Sequence, residues 1–397
     1  MMDQPIGDIT QESFGSRLKG SVAAMGGGVL FLLAFPLLFW NESRAVNTER
    51  SLKEGMSSVI TISADVVAKE NEGMLVHLIG EAKTAEILED KPFGIALNAI
   101  KLTRHVEMYQ WQEEEKQEER TKSDGSKEKV KRYVYKKEWS TELIQSSRFK
   151  HPAEHRNPSN MPYKSDSSVV QSATVGAFGL SGMLINQMDF YQPLPLTQDM
   201  IGRVEPVLQR LLMLHNNTFY LGGDPNEARI GDCRISFKVV PVGTVSIVSK
   251  QVGNTFEPYW TKVGKNLEII YSGSHSAENM FNTELKKNTT LTWIMRGVGF
   301  SIMTLGLFLF IGPLTVVLSA VPMIGGFINA GIAWAAMLLS FCLTLLTVAT
   351  AWMVYRPLVS LPLLVLAIAS VIGLKFMGKK KVKVAPVTAT PETTEAK

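Results

Sequence analysis

The chain has 397 residues, a hydrophobic fraction of 45%, a formal net charge of +4 and a mean hydropathy of +0.07, all ordinary values for a soluble protein. These averages hide two populations: residues 41–290 are polar and rich in charge, whereas residues 297–355 contain no Asp, Glu, Lys, Arg or His. The pattern excludes a uniform soluble domain and indicates an integral membrane protein. With Cys233 in the polar part and Cys342 in the apolar part, we expect no disulfide framework.

The first apolar run, residues 21–40, has the length of about 20 residues that a helix needs to cross the hydrocarbon core. It ends in Trp40, a residue type enriched at the headgroup boundary. A cleaved signal peptide is the alternative, but it would have a shorter apolar core and a small-residue cleavage site. The pattern favours a retained transmembrane helix.

The second apolar region is too long for one span and fits two. Glycine and proline residues at 312–313 and 321–326 interrupt it, which predicts a helical hairpin of about 293–315 and 326–353. A further segment, 358–375, is near the lower limit of a span, and lysines follow it. We therefore predict a transmembrane bundle over 291–377.

The four predicted spans place both chain ends on one side of the membrane. Lysines beyond a span are typical of the cytoplasmic face, and Arg17 and Lys19 flank the first span on that same side. The expected layout is a cytoplasmic tail at 1–20, a lumenal or periplasmic domain at 41–290 and a basic, disordered cytoplasmic tail at 378–397. If the fourth segment does not cross, the C-terminal lysines lie on the opposite face.

Arg296 lies near the outer end of the second predicted span. We expect its side chain to snorkel to the interface, with a functional intramembrane charge as the alternative, and the same holds for Arg356. Small residues recur at four-residue spacing, which allows close helix packing within the bundle or between copies. These pairs are Gly297/Ser301, Gly326/Ala330 and Gly331/Ala335.

The polar region reads mainly as strands. Residues 74–79 form a short apolar run, and residues 100–111 alternate, with His105, Glu107, Tyr109 and Trp111 on one face. We expect a loop at 150–166, helices at 167–188 (on the domain or in the membrane interface), 204–216 and 276–288, and strands at 229–240, 244–251 and 267–271. The predicted fold is a membrane protein with four transmembrane helices and a large extra-cytoplasmic α+β domain dominated by antiparallel sheet.

The most charged stretch is acidic at 112–122 and basic at 127–137. Asp124-Gly125 between them is a favoured two-residue turn, which predicts a hairpin pairing Glu113 with Lys136, Glu118 with Lys131 and Lys116 with Tyr133. A solvated charged helix is the alternative, because Glu, Gln and Lys are good helix formers.

No constellation of catalytic chemistry is recognisable. The histidines all fall in the polar region, at His77, His105, His151, His155, His215 and His275, and we interpret them as sheet-surface and loop residues. The sequence contains no phosphate loop, nucleotide fingerprint, HExxH or GxSxG motif. We assign no catalytic, cofactor-binding or metal-binding residue, no cofactor and no enzymatic activity.

Several motifs resemble the transmembrane protein 43 family, also called LUMA. They are residues 70–77 (ENEGMLVH), 99–111 (AIKLTRHVEMYQW), Asn157-Pro158-Ser159, Gly231-Asp232, 343–349 (LTLLTVA) and 355–358 (YRPL). The resemblance runs from about residue 20 to about 375. It implies four spans and a large lumenal or periplasmic domain. It places animal members in the endoplasmic reticulum and inner nuclear membrane, where they organise membrane protein complexes.

These observations predict a multi-pass scaffold that organises protein complexes in the membrane. The expected partners are the lipid bilayer and other membrane proteins, with a homo-oligomer as a further candidate, and we expect no nucleic acid. The expected location is a bacterial inner membrane or, in a eukaryote, the endoplasmic reticulum and inner nuclear membrane. The alternatives are a channel or transporter subunit that conducts through an oligomer and, third, a membrane enzyme.

Overall fold

The structure, a computed structural model of the chain, describes residues 6–10, 15–121, 127–318, 325–358 and 360–362. The chain divides into two compact units. The first comprises Met1–Val22 and Asn47–Thr290, and the second comprises Ala23–Val46 and Leu291–Lys397. A sheet-rich unit and a helical unit therefore alternate along the sequence.

Three of the helices are long and apolar enough to cross a bilayer. In chain order the α-helices of the described residues are α1 (Gly15–Ser58), α2 (Gly182–Gln187), α3 (Pro206–Gln209), α4 (Ala277–Leu318) and α5 (Gly325–Tyr355). The candidate spans are Ala24–Ser58, Ala277–Gly312 and Gly331–Tyr355. The protein is thus a membrane protein with three apolar helices, in agreement with the first three predicted spans.

Two of these helices are longer than their predicted spans. α1 continues past Trp40 to Ser58, because residues 41–54 contain neither glycine nor proline to end it. α4 joins the predicted helix at 276–288 and the span at 293–315 into one element.

Part of the prediction lies outside the described residues. Most of the fourth segment, 358–375, falls there, with helical backbone described only at 357–358 and 360–362. The C-terminal tail at 378–397 and the Asp124-Gly125 turn also lie outside.

All strands of the described residues belong to the first unit. They are β1 (Ile6–Thr10), β2 (Ile60–Thr61), β3 (Leu75–Lys83), β4 (Leu88–Asp90), β5 (Ile95–Leu97), β6 (Ala99–Thr121), β7 (Lys127–Ser140), β8 (Asp166–Val169), β9 (Thr174–Val175), β10 (Phe178–Gly179), β11 (Gln192–Pro193), β12 (Leu212–His215), β13 (Thr218–Leu221), β14 (Cys233–Pro241), β15 (Gly243–Val252), β16 (Thr255–Glu257), β17 (Tyr259–Trp260), β18 (Asn266–Leu267) and β19 (Ile269–Ser272). Short 3₁₀ helices occur at Lys69–Asn71, Lys91–Phe93, Ser146–Arg148 and Gln198–Arg203.

Two large, mainly antiparallel sheets dominate the first unit, beside the two-stranded sheets β4-β5 and β17-β18. One has the order β1-β7-β6-β14-β13-β12, with β11 beside β14 and β8 beside β6. The other has the order β10-β9-β3-β15-β16, with β19 beside β15 and β2 parallel to β3. The prediction of a large domain dominated by antiparallel sheet is confirmed.

The hydrophobic core joins these two sheets. It contains Val106 and Phe237 from the first sheet and Leu78 and Ile247 from the second. The second sheet is covered on its other face too, where Val248 packs with side chains from the end of α1 and the start of α4. Burial on both faces explains why β3 and β15 contain consecutive buried residues, at 75–78 and 245–249, whereas burial alternates along β6 over 105–110.

Two helix predictions in this unit are wrong. Residues 167–188 form β9, β10 and the six-residue α2, with Phe178 and Leu184 fully buried. Residues 204–216 form only the short α3 and then β12. Some of their apolar side chains, among them Phe178, Leu184, Leu208 and Leu212, are buried against other elements, and tertiary packing outweighs helix propensity in such segments.

The charged stretch forms a hairpin, as predicted, and not a helix. However, the predicted register is wrong by one residue: Glu113 pairs with Tyr135, Glu118 with Val130 and Lys116 with Arg132. The last pair, Thr121 with Lys127, leaves five residues between the strands where a two-residue turn was assumed. We call residues 109–121 and 127–139 the ribbon.

β1 pairs antiparallel with β7, with Ile6 opposite Tyr133. If α1 crosses a bilayer, its two ends lie in different water phases. The β1–β7 pairing is then not available to the membrane-inserted protein.

Candidate functional site

Three helices of the second unit meet at a buried carboxylate, Glu42. This α1 side chain is 1% exposed. Arg296 of α4 donates to both of its oxygens, from Nε at 2.7 Å and from Nη2 at 2.8 Å. Trp352 of α5 donates from its indole Nε1 to Oε2 at 2.8 Å. We call these three residues the Glu42 cluster, since one acidic group connects all three helices.

Aromatic rings also stabilise the arginine of this cluster. Its guanidinium carbon lies 4.6 Å from the ring centroid of Trp293 and 5.7 Å from that of Trp352, within the range of cation–π attraction. The Arg296 side chain is only 16% exposed. The prediction that it snorkels took no account of this partner: a carboxylate on α1 pairs with the guanidinium inside the protein.

Sequence reasoning missed Glu42, which was taken only as part of the polar run after the first span. The available signal was one acidic and one basic residue at the ends of two predicted spans, since charges within membrane segments usually pair. The position of a residue in the sequence of a helix does not show which residue of another helix its side chain contacts. Only the tertiary structure identifies the pair.

A second set of hydrogen bonds lies beside the cluster. Asn41, which is fully buried, donates from Nδ2 to the carbonyl of Thr292 at 3.2 Å. Arg44 donates from Nη2 to Asn41 Oδ1 at 3.2 Å and to Thr292 Oγ1 at 3.1 Å. These bonds join α1 to α4 again, so the polar groups that the two helices bury are largely satisfied by each other.

Glycines bring α1 and α4 close together farther along the bundle. A Cβ on Gly27 would lie 2.6 Å from the Phe310 backbone nitrogen, and a Cβ on Gly306 would lie 2.5 Å from the Phe31 backbone nitrogen. The predicted contact residues differ: a Cβ on Gly297 or Gly331 would meet nothing within 4 Å, and the side chains at Gly326 and Ala330 lie outside the described residues. A glycine spacing alone does not identify which face meets a neighbouring helix.

In the first unit, Asn157 fastens the base of the ribbon. Its Oδ1 accepts from the Trp111 backbone N–H at 2.7 Å. Its Nδ2 donates to the carbonyls of Trp111 at 2.9 Å and Ile144 at 3.1 Å. The side chain thereby acts as a further strand partner for β6. Residues 111 and 157, which belong to two separate sequence motifs, meet at this point.

A stack of rings reinforces this base. The His155 ring lies 3.6 Å from the Tyr135 ring in a parallel stack and 4.7 Å edge-on from the Trp111 ring. Tyr135 donates from its hydroxyl to Glu113 at 2.5 Å and accepts from the His151 backbone N–H at 3.0 Å. Burial and the neighbouring Glu113 raise the pKa of Tyr135 to about 12, so its hydroxyl stays protonated and can donate.

The histidines are arranged mostly as predicted. His105 shares a strand face with Glu107, its Nε2 lying 3.9 Å from Oε2, and His151 and His155 lie in a loop. Two of them are buried, however: His155 is 3% exposed in its loop, and His77 on β3 is 2% exposed, where burial lowers its pKa. Within the described ranges, no three His, Cys, Asp or Glu side chains are grouped so as to hold a metal ion.

Both cysteines are free thiols. Burial raises the pKa of the Cys233 thiol to about 11, which leaves it a poor nucleophile. Cys342 lies on the exposed surface of α5, within a candidate span.

The family model and the curated proteins that match this chain all carry the same family name. The family model described as Transmembrane protein 43 matches residues 108–357. Transmembrane protein 43 of Homo sapiens is 36% identical over 375 residues, covering 91% of this chain and 92% of its own length. That of Rattus norvegicus is 37% identical over 360 residues, covering 88% of each chain. The Transmembrane protein 43 homolog of Drosophila melanogaster is 30% identical over 355 residues, covering 86% of this chain and 91% of its own.

No solved structure gives a significant match to this chain.

Proposed function

This chain belongs to the transmembrane protein 43 family, and from that premise we propose that it is a non-enzymatic scaffold which organises protein complexes in a membrane. The observation that carries the proposal is the ribbon. Thirteen cross-strand pairs run from Tyr109–Trp139 to Thr121–Lys127, which is about 40 Å of two-stranded arm at about 3.3 Å per residue.

The ribbon is suited to contact partners because its base is fixed while its surface is charged. An isolated two-stranded ribbon is marginal in water, so the clamp by Asn157 and the stack on Tyr135 are what hold this one in place. Exposed side chains of opposite charge lie on its described part, for example Glu115 and Lys131, 2.8 Å apart. Mixed charge at a rigid edge gives orientation and specificity in protein association.

The Glu42 cluster supports the same proposal from the membrane side. A buried ion pair that unites three helices fixes their arrangement more than it strengthens the fold. Such a bundle suits an anchor. The channel alternative would favour charged side chains along the bundle. The charged residues of 23–46 and 291–362 are Glu42, Arg44, Arg296 and Arg356, all near the helix ends where the Glu42 cluster lies.

We further propose that the sheet-rich unit faces the lumen or periplasm and that the protein resides in the endoplasmic reticulum and inner nuclear membrane of a eukaryote, or in a bacterial inner membrane. The half-exposed Lys136 of the ribbon offers a test of orientation. A Lys136→Cys variant in intact vesicles should react with a membrane-impermeant maleimide only after the vesicles are opened. Reaction in intact cytosol-side-out vesicles would contradict this orientation.

The scaffold itself is tested by crosslinking and mass spectrometry on the full chain in its native membrane. Reversing ribbon charges with Lys131→Glu and Lys136→Glu should remove a subset of protein neighbours. Lys250→Glu, on β15 outside the ribbon, is the matched control and should keep them. Recovery of lipids alone with the unmodified chain, or equal neighbour lists for all variants, would contradict the proposal.

A further inference from the structure

An open groove lies between α1 and α5 in the second unit. Its volume is about 610 Å³, and its walls are Phe35, Pro36, Phe39, Trp40 and Ser43 from α1 and Thr347, Thr350 and Tyr355 from α5. From Phe35 to Ser43 the groove runs along eight residues of helix, or about 12 Å. That length matches most of one hydrocarbon leaflet, which is roughly 15 Å deep.

The two ends of the groove differ in chemistry. Phe35, Pro36 and Phe39 make one end apolar, whereas Ser43 and Tyr355 carry hydroxyls at the other. The hydroxyls of Thr347 and Thr350 donate to backbone carbonyls within α5, both at 2.8 Å, so these two side chains contribute little polarity to the wall. The groove is thus amphipathic along its length.

Aromatic residues mark its depth in the membrane. Trp40 and Tyr355 line the polar end, and Trp352 lies one turn before Tyr355 on α5. Trp334 precedes Trp352 by eighteen residues, which is about 27 Å of helix and close to the hydrocarbon thickness of about 30 Å. Tryptophan favours both interfaces, so the polar end lies at the headgroup boundary and the apolar end lies in the hydrocarbon.

The headgroup end is also positively charged. In this unit, Arg44 directly follows Ser43 and Arg356 directly follows Tyr355 in the chain, while Arg296 is paired with the carboxylate Glu42, so these four charges sum to +2. A cationic rim above an apolar floor matches a molecule with a phosphate and a hydrocarbon chain. It suits a sterol less well, because a sterol has only an uncharged hydroxyl at its polar end.

We propose that this groove binds one acyl chain of a glycerophospholipid whose phosphate lies at the arginine-rich end. The lipid fills space that the three described helices leave open and covers the faces of Phe35 and Phe39. It is a bound component of the protein, exchanging more slowly than the lipids around the rest of the bundle.

The test uses the full chain in phospholipid nanodiscs that contain a trace of phosphatidylcholine or phosphatidic acid with a diazirine in the acyl chain. Crosslinks should concentrate on the peptides containing Phe39 and Tyr355 and should saturate. Thr350→Trp fills the groove from α5 and should lower this labelling by about tenfold, equivalent to about 1.4 kcal/mol. Met353→Trp, at an exposed position of α5 outside the groove, is the matched control and should leave it unchanged.

Ser43→Phe fills the same groove from α1 and gives an independent variant should Thr350→Trp not fold. Equal labelling of exposed positions such as Leu346, unchanged by the filling variants, would mean boundary lipid only and would overturn the proposal. Two other results would overturn it as well. One is preferential labelling of the groove by a photoactivatable sterol, and the other is intramolecular crosslinks that place residues 363–375 in the groove.

Discussion

Arg296 and Glu42 are separated by 254 positions in the chain and form a two-point ion pair, with both guanidinium-to-carboxylate distances below 3 Å. Because the carboxylate is 1% exposed, the pair cannot exchange its partner for water without opening the bundle. Because both charges are desolvated, replacing the whole pair by apolar residues changes the free energy of unfolding little. Removing only one partner lowers that free energy strongly, because a buried charge is left uncompensated.

The first prediction concerns this pair. Arg296→Met leaves a buried charge without its partner and should lower the free energy of unfolding by about 3–5 kcal/mol, whereas the double variant Glu42→Leu, Arg296→Met should recover most of that loss. Thermal unfolding in detergent, arranged as a double-mutant cycle, measures both. Lys53→Met breaks the more exposed Glu49–Lys53 pair and serves as the control, with an expected change below about 0.5 kcal/mol. Additive effects of the two single changes would contradict the coupling.

The second prediction concerns the close approach of α1 and α4. A Cβ at Gly27 would lie 2.6 Å from the Leu309 Cβ and 2.6 Å from a backbone nitrogen, so Gly27→Ala must push the helices apart. We expect a loss of about 1–3 kcal/mol in thermal unfolding. Gly26→Ala, where a Cβ meets nothing within 4 Å, should be neutral or slightly stabilising. Equal stability of the two variants would show that the helices do not pack at this point.

The third prediction concerns the base of the ribbon. Tyr135→Phe removes the hydroxyl that bonds Glu113 and the His151 backbone, and should cost about 0.5–1.5 kcal/mol and speed hydrogen exchange in residues 149–157. Tyr133→Phe is the matched control, because that hydroxyl makes only a long exposed bond of 3.4 Å to Glu115. If exchange in the loop is the same in both variants, Tyr135 does not fasten it.

The fourth prediction concerns pH. His77 is in contact with Thr61 through Nδ1 at 3.1 Å and with the His275 carbonyl through Nε2 at 2.9 Å, so it connects residues just after α1 to residues just before α4. Burial lowers its folded pKa, so the unfolded chain takes up a proton at higher pH than the folded chain. His77 should therefore cost no stability above about pH 6.5 and should destabilise progressively as the pH falls below that value.

The measurement is the unfolding temperature of the protein between about pH 7.5 and 5, compared with a His77→Gln variant. Other groups titrate in both proteins, so the difference between their slopes isolates the histidine. Parallel curves would mean that His77 does not contribute to the pH dependence.

The sequence alone determined that three apolar segments are suited to lipid and predicted the local backbone of the most strongly patterned segments. Residues 297–355 are long enough and free enough of charge to lie in lipid. There they must be helical, because backbone N–H and C=O groups without hydrogen-bond partners are costly in the hydrocarbon core. The alternation at 100–111 separated the two faces of β6: Val106 and Met108, which are fully buried, lie opposite the face of His105 and Glu107. Opposite charges on either side of Asp124-Gly125 predicted a hairpin.

What the tertiary structure decided are the relationships between distant residues. The number of residues between the strands sets the ribbon's register, and no pattern in the strands reveals it. Residues 167–188 look like an amphipathic helix until Phe178 and Leu184 are placed in a core shared with other strands. Glu42 and Arg296 each resemble an ordinary interfacial charge, and Asn157 an ordinary loop residue. Which side chains meet depends on the rotation and spacing of whole helices and sheets, and these follow from packing many residues at once.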